Sequence, residues 1–330
     1  MTAPRGHGLE LLLGLLLALL FVSSLFIGSN PIPVWQALQQ SLQPDPGVVG
    51  LILTEVRLPR TLVALFAGAT LGLCGAAMQG LLRNPLASPG LVGSSSGAAF
   101  GAVLMIYFGS GGWYQVPIGG IAGSLGATLL VYLLAGRNAA SITLILAGVA
   151  VNSLALALIS LLLNLAPSPY AVQEIVLWML GAISDLSLQD VAVLLPGTLA
   201  GWLLLVGSGR QLDALTLGEE TARSMGVRLT RLRWRIFAAV ALAVGSAVSV
   251  TGSIGFVGLV VPHLMRPLAG FLPGRLLPLS ALGGAILLLA ADIAVRLFPA
   301  GAEIKVGVVT ALVGAPFFLY LVIRSRRWAP

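Results

Sequence analysis

Apolar positions in this chain come in runs as long as a membrane is thick, separated by short polar breaks. A helix crossing the hydrocarbon layer needs about 20 predominantly apolar residues, because its backbone polar groups find no water there and must bond internally. Ten segments qualify: Leu9–Ile27, Thr61–Gly80, Leu91–Phe108, Val116–Leu134, Ile142–Leu165, Leu188–Val206, Ile236–Thr251, Ile254–Arg266, Leu277–Leu297 and Val306–Ile323. The seventh and eighth are short and read as tilted, broken or partly re-entrant. The first run follows only Arg5 and lacks a small-x-small cleavage site, so it is read as a retained span. No linker or low-complexity tract interrupts the series. The expected fold class is an all-α integral membrane protein with ten transmembrane helices, a single membrane domain over residues 1–330.

Composition agrees. Of 330 residues 58% are hydrophobic and 9% charged, against about 25% charged in a soluble domain, which excludes a water-soluble globule. Glycine (41) and proline (19) are frequent, as in membrane helices that pack closely and break. A single cysteine, Cys74, excludes an intrachain disulfide and a thiolate metal cluster. Eighteen basic residues against 11 acidic leave +7, which in so apolar a chain suits membrane topology rather than nucleic-acid binding.

Sorting the cations by loop turns that excess into an orientation, since short cytoplasmic loops collect Lys and Arg. With the N-terminus inside, the inner loops and tails hold 14: Arg5, Arg83, Arg137, Arg210, Arg223, Arg228, Arg231, Arg233, Arg235, Arg266, Arg275, Arg324, Arg326 and Arg327. Four lie outside: Arg57, Arg60, Arg296 and Lys305. Both termini are therefore expected in the cytoplasm, and the four outer cations call for a reason of their own.

Catalytic motifs are nearly absent. A phosphate-cradling loop must end in Lys-Ser/Thr, but the only lysine, Lys305, follows Glu303-Ile304 and precedes Val306, so the chain is not expected to hydrolyse ATP by itself. Gly93-Ser94-Ser95-Ser96-Gly97 spells a nucleophile elbow without its strand–turn–helix setting or a histidine base. The spacing Gly93, Gly97, Gly101, like Gly68 with Gly72, suits close helix packing instead. Asp292, the most embedded carboxylate, lies four residues before Arg296 and reads as its ion-pair partner. That weakens a proton- or sodium-coupled carrier, for which Gln79, Asn152 and Asn164 remain as polar candidates.

Between the sixth and seventh spans, Thr216 to Val227 predicts a short cytoplasmic helix. Thr216 and Glu219 have capping-box spacing, and Gly226 sits where a left-handed C-terminal residue belongs. Too short and polar to span, it is either a solvated linker or a docking helix presenting Ala222 and Met225 to a groove on a cytosolic partner.

Several long stretches, in order from Arg57 to Arg324, resemble one family. They are Arg57-Leu58-Pro59-Arg60, Gly75-Ala76-Ala77-Met78-Gln79, Arg83-Asn84-Pro85-Leu86-Ala87-Ser88-Pro89-Gly90, Leu146-Ala147-Gly148-Val149, Gly252 through His263, Ala291-Asp292 with Arg296, and Gly307 through Phe318. The chain resembles the permease subunits of type II ABC importers for iron-siderophores, haem and cobalamin. The resemblance implies a two-fold pair of ten-span permeases, here expected to be a homodimer, in the bacterial cytoplasmic (inner) membrane. It further implies two cytosolic ATPases that bind the ATP and Mg, no cofactor or metal in this chain, and an extracytoplasmic binding protein that delivers substrate. By that resemblance Arg57, Arg60 and Arg296 receive acidic groups of the binding protein. Gly218, Glu219, Ala222, Arg223, Met225 and Gly226 form the coupling helix against the ATPase, and Asn84, Leu86, Ser141 and Ile142 stand at the cytoplasmic gate. Ser141-Ile142 departs from the hydroxyl pair of the cobalamin-type relative, and Lys305 stands where many relatives carry Pro. The substrate expected is an iron complex, ferric siderophore or haem, with cobalamin as the alternative.

Overall fold

The computed structural model describes residues 6–28, 47–109, 112–136, 140–298 and 304–326, with positions 33, 35, 39 and 40. Arg5, Arg137 and Arg327, counted above as inner cations, and Glu303 lie outside the described residues. The described chain is helical, without strands. Its helices in order are α1 (Gly6–Phe26), α2 (Val48–Leu82), α3 (Ser94–Phe108), α4 (Gln115–Ala135), α5 (Ser141–Asn164), α6 (Pro169–Met179), α7 (Leu188–Leu205), α8 (Ser208–Leu215), α9 (Glu219–Ser224), α10 (Leu229–Thr251), α11 (Val257–Met265), α12 (Pro273–Leu297) and α13 (Val306–Arg326). Seven of them, α1, α2, α4, α5, α7, α10 and α12, are long and apolar enough to cross a membrane, and α3 and most of α13 are shorter apolar helices. An all-α integral membrane protein follows.

Long helices of this kind cannot be held by the hydrophobic effect inside lipid, so backbones must approach closely at small residues. Two seams do this. Gly68 and Gly72 of α2 lie against Gly284 and the Ser280 carbonyl of α12, where any β-carbon would collide with backbone. Gly97 and Gly101 of α3 face Gly123 and Gly119 of α4 in the same manner. The Gly93–Gly97 run is thus a packing element. Its hydroxyls go to backbone, Ser94 Oγ donating to the Pro89 carbonyl (2.8 Å) and Ser96 Oγ to that of Gly93 (3.2 Å).

Several boundaries differ from the sequence expectation. The second span begins far earlier, because α2 starts at Val48 and includes a π-helical stretch at Ile52–Arg57. The seventh is a full-length helix, with arginines 231, 233 and 235 inside its first two turns hiding its start from an apolar count. The eighth is truly broken: α11 spans only Val257–Met265, opened by Phe256 at φ +65°. Two helices went unread. α6 is capped by Ser168, whose Oγ accepts from the Ala171 N–H at 3.3 Å, with Pro169 in its first turn, and α8 fills the loop before the coupling segment.

Candidate functional site

The functional residues collect at opposite ends of the bundle. One end carries the C-termini of α1 and α12 and the early part of α2. Arg57 Nη1 donates to the carbonyls of Leu25 (3.1 Å) and Phe26 (2.7 Å), in the last turn of α1. Arg296 Nη1 donates to the carbonyls of Ser24 (2.7 Å) and Ile27 (3.2 Å), and its Nη2 to Ser24 Oγ (2.9 Å) and to Asp292 Oδ2. Arg60 closes the cluster on the other oxygen of Asp292, with Nε at 2.9 Å and Nη2 at 2.8 Å. Ser24 Oγ and Thr61 Oγ1, 2.8 Å apart, tie α1 to α2 beside it.

The expected Asp292–Arg296 pair is there, and Arg60 shares it. Asp292 is fully buried, while Arg57 is 6% exposed and the side chains of Arg296 and Arg60 are 6% and 19% exposed. Among the described residues, two of these arginines, Arg60 and Arg296, share the one carboxylate of Asp292, so positive charge is in excess of that pair. The α1 carbonyls offset part of that excess, because the last carbonyls of a helix lack intrahelical partners and carry the negative end of its dipole. Backbone carbonyls as arginine partners were not readable from sequence, since they lie 31 to 272 positions away. Lys305, at the start of α13, has its Nζ 3.5 Å from Ser184 Oγ.

At the other end, α8 packs beneath α2 and α12, with Leu212 beside Gly80 and Pro273. Asp213 Oδ1 accepts from the Gly274 N–H at 2.7 Å, satisfying an orphan donor at the start of α12. Thr216 does not cap the next helix as its spacing suggests: its Oγ1 donates back to the Asp213 carbonyl at 2.6 Å, because α8 already occupies the preceding turns. Instead Gly218, at φ +106°, opens α9. Glu219 reaches Arg233 of α10 (2.8 Å) and Arg223 (3.7 Å), which pins the short helix to the membrane bundle. Gly226, at φ +86°, closes α9 as expected, with its N–H on the Arg223 carbonyl (2.9 Å) and the Val227 N–H on that of Ala222 (2.9 Å). Ala222 is fully buried within this chain, so the apolar group α9 presents outward is Met225, 60% exposed.

The residues expected at the gate lie at this end too. Arg83, at φ +50°, terminates α2, and Asn84 Oδ1 accepts from the Leu86 N–H at 2.9 Å, holding the turn in shape. Ser141 opens α5 and Ile142 beside it is exposed. Gly148 brings α5 onto the Leu91 carbonyl in the turn that follows the Asn84 loop. α5 buries only one stripe, Leu144, Gly148, Val151, Ala155, Ile159 and Leu162; among its exposed residues Thr143, Ala150, Ser153, Ala157, Ser160 and Asn164 alternate with large apolar ones such as Leu146, Leu154 and Leu161. Gln79, weighed above as a path residue, is buried and held by Arg266 and the Leu259 carbonyl.

The FecCD transport family profile matches residues 16–324. The chain is 39% identical over 326 residues to the uncharacterized ABC transporter permease protein YvrB of Bacillus subtilis, covering 94% of this chain and 92% of that protein. It is 40% identical over 284 residues to the vitamin B12 import system permease protein BtuC of Citrobacter koseri, 84% of each chain. With the Fe(3+)-citrate import system permease protein YfmD of Bacillus subtilis it shares 35% identity over 331 residues, 98% of each. A solved structure described as an inward-facing conformation of a metal-chelate type ABC transporter superposes with a TM-score of 0.86 at 35% identity, covering 96% of this chain and 99% of that one. With the profile running from α1 to α13 and these relatives aligned along 84–99% of their lengths, the chain is the permease subunit of an ABC importer and belongs to the FecCD transport family.

Proposed function

We propose that this permease carries an iron chelate, a ferric siderophore or haem, through a path between two copies of itself. The alignment with a ferric-citrate permease over 98% of both chains carries this reading. The metal-chelate title of the solved relative supports it, and cobalamin remains the alternative raised by the vitamin B12 relatives. In this reading one domain holds ten spans: the seven long helices, α3, α13 and the broken span at α11. Both termini lie in the cytoplasm of a bacterium, below its inner membrane. The exposed arginines 83, 210, 223, 228, 231 and 275 at the α8–α9 end support that orientation.

The mechanism follows from the two ends. A binding protein delivers the chelate to the outer end, where Arg57, Arg60 and Arg296 receive its acidic groups. The chelate then passes the exposed face of α5, whose small and hydroxyl side chains offer only weak contacts. A large polar cargo moves best along such a surface, because strong binding to any point would slow its exit. Two cytosolic ATPases bind ATP and Mg and grip α9 through Gly218, Glu219, Arg223, Met225 and Gly226, with Ala222 as its anchor to the bundle. Through Arg233 the movement of α9 reaches α10 and opens the gate at Asn84, Leu86, Ser141 and Ile142. The test is uptake by vesicles holding the permease with the ATPase and binding protein of the same bacterium. Radioactive iron supplied as a ferric siderophore, as ferric citrate or as haem is expected to accumulate with ATP, and labelled cobalamin to stay outside. Cobalamin uptake without iron uptake would refute the iron reading, and uptake without any ATPase would refute the importer assignment for this chain.

A further inference from the structure

Resting on the reading that the outer end receives an acidic partner, we propose that its three arginines divide the work: Arg60 alone meets the partner's carboxylate, and Arg57 and Arg296 are positioning residues that clamp α1. Accessibility separates them first. The Arg60 side chain is 19% exposed, whereas Arg57 and the Arg296 side chain are each 6% exposed, so a carboxylate arriving from outside meets Arg60 first.

Bonding separates them again. Arg60 is held by Asp292, and Asp292 also has Arg296. Arg60 can therefore exchange Asp292 for an incoming carboxylate while Asp292 keeps a cationic partner. Arg57 and Arg296 cannot leave so cheaply. Between them they satisfy the carbonyls of Ser24, Leu25, Phe26 and Ile27, which would lose these donors on their departure. The space is fitted around the guanidinium as well: a β-carbon on Gly28 would stand 2.8 Å from Arg57 Nη2.

The packing of α1 explains why a clamp is needed. Only 6% of its apolar window is buried in the bundle, against 28–78% for the six other long helices. Along its length α1 lends only Leu9, Leu13, Leu17 and Leu20 to the core, and its outer end is located jointly by Leu25 and Phe26 on Leu53, by the arginine–carbonyl bonds and by Ser24 on Thr61. Arg296 uses both ends of its planar fork, Nη1 on the Ser24 and Ile27 carbonyls and Nη2 on Ser24 Oγ and Asp292, four acceptors that the three donors of an ammonium cannot all serve. Arg296 thus needs to be arginine, whereas a docking contact needs only a positive charge.

That difference sets the test, made with the vesicle-reconstituted permease–ATPase complex and the binding protein that supports its uptake. Capture of the binding protein is measured from low to high salt. The seating of α1 is read as oxidative cross-linking of a Ser24→Cys, Thr61→Cys pair, whose parent oxygens are 2.8 Å apart. Arg60→Gln is expected to weaken capture about fivefold at low salt, with the difference fading at high salt, and to leave cross-linking intact. Arg60→Lys should restore capture. Arg57→Gln and Arg296→Gln are expected to lower cross-linking severalfold while leaving the salt slope of the remaining capture unchanged, and Arg296→Lys should not restore it. If Arg57→Gln flattens the salt slope like Arg60→Gln while α1 still cross-links fully, the division of roles is wrong and docking by all three stands. If no arginine variant changes capture at low salt, the docking reading itself fails.

Discussion

Among the described residues Asp292 is the carboxylate paired with Arg60 and Arg296, which makes Asp292→Ala the sharpest perturbation of the outer end. Removing one partner of a buried ion pair costs about 3–5 kcal/mol, because the remaining charge is left without compensation. Two features place this case at the lower end. Arg60 keeps some contact with solvent, and Arg296 retains the Ser24 and Ile27 carbonyls and Ser24 Oγ. A loss of about 3 kcal/mol is expected, equivalent to a Tm lowered by about 6–9 °C on the scale of large domains. The chain carries its own reporter, since Cys74 is its only cysteine and is fully buried, so a thiol-reactive dye reads unfolding directly. Arg60→Ala and the double variant complete a cycle, in which the double variant should be less destabilised than the two single losses added together. A Tm within 1–2 °C of the parent for Asp292→Ala would refute the ion-pair account, being less than about 1 kcal/mol. A stable Asp292→Asn protein that loses uptake with a shifted pH profile would instead mark Asp292 as a proton carrier.

Met225→Glu on the exposed tip of α9 is expected to leave folding unchanged and to lower ATP-driven uptake at least severalfold; normal uptake would remove Met225 from the ATPase contact. Ala222→Arg, by contrast, forces a long charged side chain into a fully buried position and is expected to destabilise by about 1–3 kcal/mol or more, read by the same thiol assay. Glu219→Ala leaves the side chain of Arg233, 9% exposed, without its carboxylate and should cost about 1.5–3 kcal/mol while loosening α9, seen as faster proteolysis at Arg223. Gly72→Ala puts a β-carbon into the Ser280 carbonyl and should cost about 1–3 kcal/mol, while Gly14→Ala, with nothing within 4 Å of its new carbon, should be neutral or slightly stabilising. Equal effects of the two glycine changes would show that the α2–α12 seam is not tightly packed.

Apolar run length located the long helices because membrane burial is written one residue at a time, and it failed wherever a helix did something other than cross lipid. α6 and α8 carry legible local signals, Ser168 before Pro169 and the polar turn from Ser208, but neither is long enough to count as a span. The start of α10 was hidden because Arg231, Arg233 and Arg235 face three different surroundings: Arg231 is exposed, Arg233 is paired with Glu219, and Arg235 is bonded to Ser208 and Gln211. Thr216 and Glu219 have the right spacing for a cap and the wrong neighbour. With α8 ending just upstream, the threonine hydroxyl finds the Asp213 carbonyl, and the glutamate turns to Arg233. At the outer end, sequence identified the Asp292–Arg296 pair from its one-turn spacing. It could not show that Arg60 joins it from 232 positions away.

Charge placement links these ends into one device. In a membrane every buried charge is retained for a use, and here the buried charges sit where helices of different packing strength meet. The outer cluster joins α1, the least packed of the long helices, to α2 and α12, which share the Gly68–Gly284 seam. At the inner end Glu219–Arg233 joins a six-residue helix to α10. Ion pairs and arginine–carbonyl bonds are directional and can be exchanged for another anion, whereas the glycine seams between α2 and α12 and between α3 and α4 cannot slide without collision. The proposed mechanism uses both kinds of joint. In it the rigid seams would transmit a displacement across the bilayer, and the exchangeable polar joints at the two faces would admit the partners that cause it.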